Sequence, residues 1–189
     1  MMEYHTALLW SRIFLQGKSF TSYAGSQVAV ALLFPTETLF ESYIADKMAR
    51  AFAGSDYRVS AQDKTYHLFD YPSRRFLMKP DIVVRAKDRD AIFILDTKWK
   101  ALSESKHNYG IAQSDMYQMY AYQKKYNAVN VRLLYPMTNY FLPSEPVSYT
   151  SEDGVIVQAE FIDLYNVDQS IRRLTETIRG YSPVSVEVT

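Results

Sequence analysis

The chain has 189 residues with 48% apolar and 15% aromatic content, enough for one ordinary core and too apolar for a disordered segment. It contains no cysteine, which excludes a disulfide framework or a thiolate metal site and fits a reducing compartment. Its 21 Lys+Arg balance 21 Asp+Glu, which excludes a protein that coats nucleic acid by net charge alone.

Residues 3–16 place Ala7, Leu8, Leu9, Trp10, Ile13, Phe14 and Leu15 at helical spacing, predicting an amphipathic helix that ends near Gly17. A small, polar loop over 17–30 follows. Pro35-Thr36 opens a second helix, 36–53, with the apolar stripe Phe40, Ile44, Met48 and Phe52 and a stop at Gly54. Glu41 borders that stripe, where an acid is either a rim residue reaching water or a residue aimed at a site. Residues 57–78 predict one or two strands, Tyr57-Arg58-Val59 and Tyr66-His67-Leu68-Phe69, with a turn at Tyr71-Pro72-Ser73. His67 alternates with Leu68 and reads as a surface strand residue rather than a ligand.

The stretch from Lys79 to Lys98 carries the most information. Two β-branched apolar runs, Ile82–Ala86 and Ala91–Leu95, flank the charged corner Lys87-Asp88-Arg89-Asp90, a hairpin signal. Pairing Ala86 with Ala91 runs the register outward to Asp81 opposite Asp96, at the ~5 Å spacing of cross-strand neighbours. Alternation returns Lys98 to the face of Asp96 and turns Thr97 away. Asp-x-Lys alone reads as a solvated strand end. Here Pro80 blocks further ladder pairing before Asp81, and Asp96 and Lys98 leave a fully apolar run, where charge needs a partner. Two carboxylates held so close repel unless a cation joins them, and Mg²⁺ suits carboxylate and water ligands.

After a polar loop over 99–108, a third helix spans 111–126. Asp115, Gln118 and Tyr122 share one face of it by three- and four-residue spacing, a face for solvent or for the cleft. Met116, Met119 and Tyr120 are expected on the packed side. Asn130 to Tyr135 predicts a buried strand ended by Pro136. Strands at 147–150 and 155–162 flank the turn Ser151-Glu152-Asp153-Gly154, and a helix over 168–179 closes at Gly180, with a frayed tail from Tyr181.

Charge is unevenly spread: residues 1–150 hold 18 basic against 14 acidic side chains, and 151–189 hold 3 against 7. Arg74, Arg75, Lys79, Lys98, Lys100 and Lys106 lie near the Asp81–Asp96 end in sequence, as a local basic groove or as ordinary surface. No signal peptide opens the chain and no apolar run is long enough to span a bilayer, so the expectation is cytoplasmic with no membrane partner. No G-x-x-x-x-G-K loop is present, so the chain supplies no P-loop nucleotide site.

The order helix, strand, hairpin, helix, strand with Pro80-Asp81 … Asp96-Thr97-Lys98 resembles the PD-(D/E)xK nuclease superfamily, and Gln118-x-x-x-Tyr122 is similar to the QxxxY motif of its RecB-like branch. Leu39-Phe40-Glu41, Leu95–Lys100, Asp115–Tyr122 and Leu133–Pro136 together resemble the McrC family, nuclease subunits of the 5-methylcytosine-dependent McrBC restriction system, over roughly residues 5–165. The resemblance implies an α/β fold, a restriction-endonuclease-like PD-(D/E)xK core with a central mixed sheet flanked by helices. The expected layout is a single nuclease domain over 1–189, with an N-terminal helix and loop (1–35), a catalytic core (36–136) and a C-terminal hairpin and helix (137–189).

By the same resemblance, Asp81, Asp96 and the backbone carbonyl of Thr97 would bind Mg²⁺, with Mn²⁺ as a substitute, and Glu41 would act through a water. Lys98 would orient or deprotonate the attacking water, and Gln118 and Tyr122 would position the lysine or the DNA backbone. The implied activity is Mg-dependent endonucleolytic hydrolysis of double-stranded DNA beside a GTP-dependent AAA+ motor subunit (McrB-like), with a homo-oligomer left open. McrC proteins carry a further N-terminal region that meets the motor, so a chain starting near the nuclease part is expected to be a truncated or minimal form. The alternatives are a non-catalytic assembly or DNA-binding subunit with this fold, and a RecB-like repair exonuclease.

Overall fold

The computed structural model describes residues 35–88, 91–138, 141 and 147–181. The expected helix at 3–16, the loop at 17–30 and the tail beyond 181 lie outside them. By its internal contacts the chain separates between Phe34 and Pro35, and the architecture is that of the second unit.

Its elements run α1 (Thr36–Ala51), β1 (Tyr57–Ala61), β2 (His67–Phe69), β3 (Arg75–Leu77), β4 (Ile82–Ala86), β5 (Ile92–Thr97), α2 (Gln113–Tyr126), β6 (Asn130–Pro136), β7 (Val147–Thr150), β8 (Ile156–Ile162) and α3 (Val167–Arg179). Six strands form one mixed sheet in the order β1-β4-β5-β6-β8-β7. The β1, β4 and β5 strands pair antiparallel, β5-β6 and β6-β8 pair parallel, and β7 returns antiparallel on β8. The parallel step from β5 to β6 crosses over through α2, because parallel neighbours cannot be joined by a tight turn. Gly154, at φ +83, closes the β7–β8 hairpin where an L side chain would be strained.

Helices cover both faces. The α1 stripe Phe40, Ile44, Met48 and Phe52 is buried, with α3 residues Ile171, Leu174 and Ile178, against Ile82, Val84, Phe93, Leu95 and Leu134. Each such side chain contributes ~2 kcal/mol by leaving water. On the opposite face α2 lays Met119, Tyr122 and Tyr126 on Val83, Ile94, Val131 and Leu133. The alternation along β4 and β5 sorts these residues: Phe93 and Leu95 face α1, Ile94 and Asp96 face α2.

Two expectations change here. The span 57–78 holds three strands, because β2 and β3 leave the sheet and pair with each other as a separate ribbon. Tyr120 is not on the packed side of α2: it is 41% exposed and its hydroxyl donates to Asp153 Oδ2 at 2.5 Å. Tyr122 takes the inward position instead, at 4% exposed, because a tyrosine ring packs wherever its hydroxyl can find a partner.

Candidate active site

The β4–β5 hairpin pairs Ile82 with Leu95, Val83 with Ile94 and Arg85 with Ile92, and Ala86 N–H donates to Ala91 O at 3.0 Å. One step outward, this register sets Asp81 opposite Asp96, as the sequence pattern predicts. Both acids stand at the strand ends, where Pro80 precedes β4 and the chain leaves β5. Lys98 N–H still donates to Leu134 O at 2.9 Å, so the backbone carrying the lysine is held by β6.

Asp96 is 2% exposed. Its Oδ2 lies 2.6 Å from Lys98 Nζ, a buried ion pair and the carboxylate's close cationic contact. Burial first, and then the charge of Asp81, push the Asp96 carboxyl up to about 7. Asp81 is raised as well, again mainly by burial, although Thr97 opposes it. The Thr97 side chain does not turn away: its Oγ1 and its backbone N–H both donate to Asp81 Oδ2 at 2.7 Å. At the strand end the Asp81 carboxylate thus reaches one residue past its cross-strand partner Asp96.

Lys98 is fixed from the α2 side. Its Nζ donates to Gln118 Oε1 at 3.2 Å, and Gln118 Nε2 donates to Tyr122 OH at 2.9 Å. Because the amide nitrogen serves Tyr122, the amide oxygen must face the ammonium. Tyr122 also meets the main chain of Lys79, and burial and the Asp96 charge push its hydroxyl up to about 12. Burial alone would lower the Lys98 pKa, but Asp96, Asp115 and Asp81 outweigh it and hold the ammonium charged.

Glu41 borders the site from α1. Its charge is felt by Asp81, and its Oε1 accepts from Gln62 Nε2 at 2.7 Å. The Phe40 ring meets the Trp99 ring at 5.3 Å, which docks α1 on the segment that follows Lys98. Among the described residues no group of three or more His, Cys, Asp or Glu side chains converges on one point. An ion would therefore rest on two carboxylates plus main-chain oxygen and water, a donor set that suits Mg²⁺. The upward pull that burial and mutual charge exert on both carboxyls fits such a group, since a cation relieves it.

Two residues escaped the sequence reading in their roles. Asp115 lies 3.7 Å from both Lys98 and Lys100, and its position one helical turn before Gln118 was the available signal. Asp63 is buried and forms a hub: it accepts from Arg85 at 3.0 Å, from Tyr126 OH at 3.0 Å and from Thr65 N–H at 2.9 Å. Its own N–H donates to Pro80 O, and Gln62 N–H donates to Asp81 O at 2.7 Å, so the hub braces the main chain that presents Asp81.

Fold and site together define an α/β domain with a carboxylate–lysine centre at the rim of a mixed sheet. A family model described as "McrBC 5-methylcytosine restriction system component" matches residues 1–136. The chain belongs to that family. Its backbone is similar to a chain of a solved Thermococcus gammatolerans assembly, described as McrB AAA+ hexamers with bound McrC. The TM-score is 0.57 at 21% identity, over 75% of this chain and 33% of that one. This chain thus spans about a third of the length of that relative, and the likeness is one of fold. No curated protein matches it.

Proposed function

We propose that this domain is the Mg²⁺-dependent endonuclease part of an McrBC-type restriction system, a PD-(D/E)xK centre that hydrolyses phosphodiester bonds in double-stranded DNA in partnership with a GTP-dependent AAA+ motor subunit. The carrying observation is the buried Asp96 carboxylate, which feels the charge of Asp81 and lies 2.6 Å from the Lys98 ammonium at the open end of a hairpin.

Asp81, Asp96 and the Thr97 carbonyl would hold the ion, with Glu41 reaching it through water. When bound, the ion supplies Lewis-acid polarisation of a phosphoryl oxygen and a lowered pKa for water. The chain's own residues do the rest. Gln118 and Tyr122 hold Lys98 at one position, so no reorganisation is needed as charge develops. Once the surrounding carboxylates are compensated, the hold that keeps Lys98 protonated weakens. Lys98 can then release its proton to solvent and, as the neutral amine, accept one from the attacking water, or stay charged beside the developing negative charge of the transition state. Asp115 sets the balance by sharing its carboxylate between Lys98 and Lys100.

A divalent-metal titration tests the reading. Mg²⁺ or Mn²⁺ should raise the melting temperature of the parent by ligand linkage, should leave Asp96→Asn unmoved, and should switch on duplex cleavage in the parent. A parent that gains neither stability nor cleavage from either ion, with or without the motor, overturns it.

A further inference from the structure

The β2–β3 ribbon takes no part in the chemistry above, yet it carries a dense exposed apolar surface. Leu68, Phe69, Tyr71, Phe76 and Leu77 are all exposed, Phe69 at 55%, Phe76 at 72% and Tyr71 at 89%. Phe76 sits at φ +57, a region that a bulky residue enters only at some strain. That backbone turns its ring outward onto Phe69, edge to face at a centroid distance of 5.9 Å.

Cations are interleaved with these rings. Residues 64–79 contain Lys64, Arg74, Arg75 and Lys79 against the single acid Asp70, a local +3 in a chain of zero net charge. Asp70 is already paired with Lys125. Among the described residues, none of those four cations forms an ion pair. The complement of such a surface is a polyanion that also offers apolar contact, as the sugars and base edges lining a duplex groove do, not an apolar protein face.

The ribbon is tied to the site. Met78 is buried and its N–H donates to Tyr66 O at 2.9 Å, the Tyr66 ring packs on Tyr126 at 4.6 Å, and the Asp63 hub joins the same base to Pro80. From Leu77 to Asp81 the backbone spans at most ~14 Å, less than half of the ~34 Å turn of a duplex. A two-stranded ribbon also matches the width of the major groove.

We propose that the β2–β3 ribbon is a duplex-DNA-binding element, with Arg74, Arg75 and Lys79 on backbone phosphates and the Phe69–Phe76 pair against the groove. This rests on the nuclease reading and names the surface that holds the substrate at that site. The rings add apolar contact to sugars and base edges in the groove, and the cations supply affinity by counterion release.

The test uses the full chain, a short blunt duplex and EDTA, so that binding is read without cleavage. Arg74→Ala with Arg75→Ala should weaken binding about tenfold at low salt and flatten the log Kd against log salt slope by nearly 2, one phosphate contact contributing ~0.9. Phe69→Ala with Phe76→Gly should weaken binding at an unchanged slope. Arg172→Ala with Arg173→Ala, on the exposed face of α3, should change neither. Ribbon variants that bind with the parent's affinity and slope overturn the proposal. So does a parent that fails to bind the duplex at low salt, which would give the apolar ribbon to a protein surface instead. A parent that cuts DNA while ribbon variants bind normally removes the ribbon and keeps the nuclease. Ribbon-dependent binding in a chain that never cuts keeps the ribbon and removes the nuclease.

Discussion

Asp96→Asn should stabilise the metal-free protein while abolishing its chemistry. The Asp96 carboxyl is raised from 3.8 to about 7, and that shift is what remains after the attraction of Lys98 has been counted. A raised folded pKa means the folded state holds the proton more tightly. The associated stability is present below about pH 4 and is lost as pH rises through about 7. A rise of roughly 3 units corresponds to ~4 kcal/mol of fold stability withheld when the site is ionised and no cation is bound. Asparagine is neutral throughout and nearly isosteric, so it escapes the loss. Urea unfolding in EDTA reads this as a shift in midpoint at constant m. The advantage of the variant should grow by ~2 kcal/mol or more between about pH 5 and about pH 8, and added Mg²⁺ should erase it by stabilising the parent alone. A variant that is less stable than the parent by the same amount at both pH values would show that Asp96 and Lys98 form a stabilising ion pair, and the ion-binding argument would fail with it.

Lys98→Ala should leave metal and DNA binding largely intact and slow single-turnover cleavage by ~10²-fold or more if the lysine is the general base. Lys98→Arg should not rescue it, because guanidinium does not deprotonate at usable pH; a rescued rate would make the residue an electrostatic stabiliser instead. Tyr122→Phe removes the hydroxyl that orients Gln118, so it should lower stability by ~1 kcal/mol and shift the pH profile of cleavage, whereas an unchanged profile would reduce Tyr122 to core packing. Asp63→Ala strips a buried partner from Arg85 and Tyr126 and should cost ~3 kcal/mol or more. The hydrogen bonds to Thr65, Arg85 and Tyr126 overcome burial and lower the Asp63 pKa, so its contribution is present above the unfolded pKa near 4 and disappears in acid; chemical denaturation of parent and variant across that range checks both statements.

The hairpin and its register were legible because two β-branched runs around one charged corner admit a single alignment that buries both apolar faces. The α1 stripe was legible for the same reason, at helical period. The ribbon was not, since β2 and β3 are three residues each and β3 is exposed throughout, so no alternation marks them. Tyr120 was misassigned because tyrosine offers an apolar ring and a polar hydroxyl, and only the rotation of α2 on the sheet decides which tyrosine faces in. The Asp63 hub depends on partners 22 and 63 residues away, beyond any local pattern. Arg132 is similar: 6% exposed inside an apolar strand, it is matched by Glu160 on the neighbouring β8 and by Asn130 at 2.7 Å, a complementarity that appears only once the strands are ordered.

The most direct test of the central claim is cleavage of closed circular duplex DNA by the chain together with an McrB-like motor and GTP, with Mg²⁺ titrated from zero. A circle has no ends, so cutting it requires an endonuclease. Mg²⁺-dependent conversion to linear DNA is expected for the parent and none for Asp96→Asn, with the chain alone cutting poorly and without preference for methylated sites. Cleavage by Asp96→Asn at the parent's rate, or an intact circle at saturating Mg²⁺ with the motor turning over GTP, would contradict that claim.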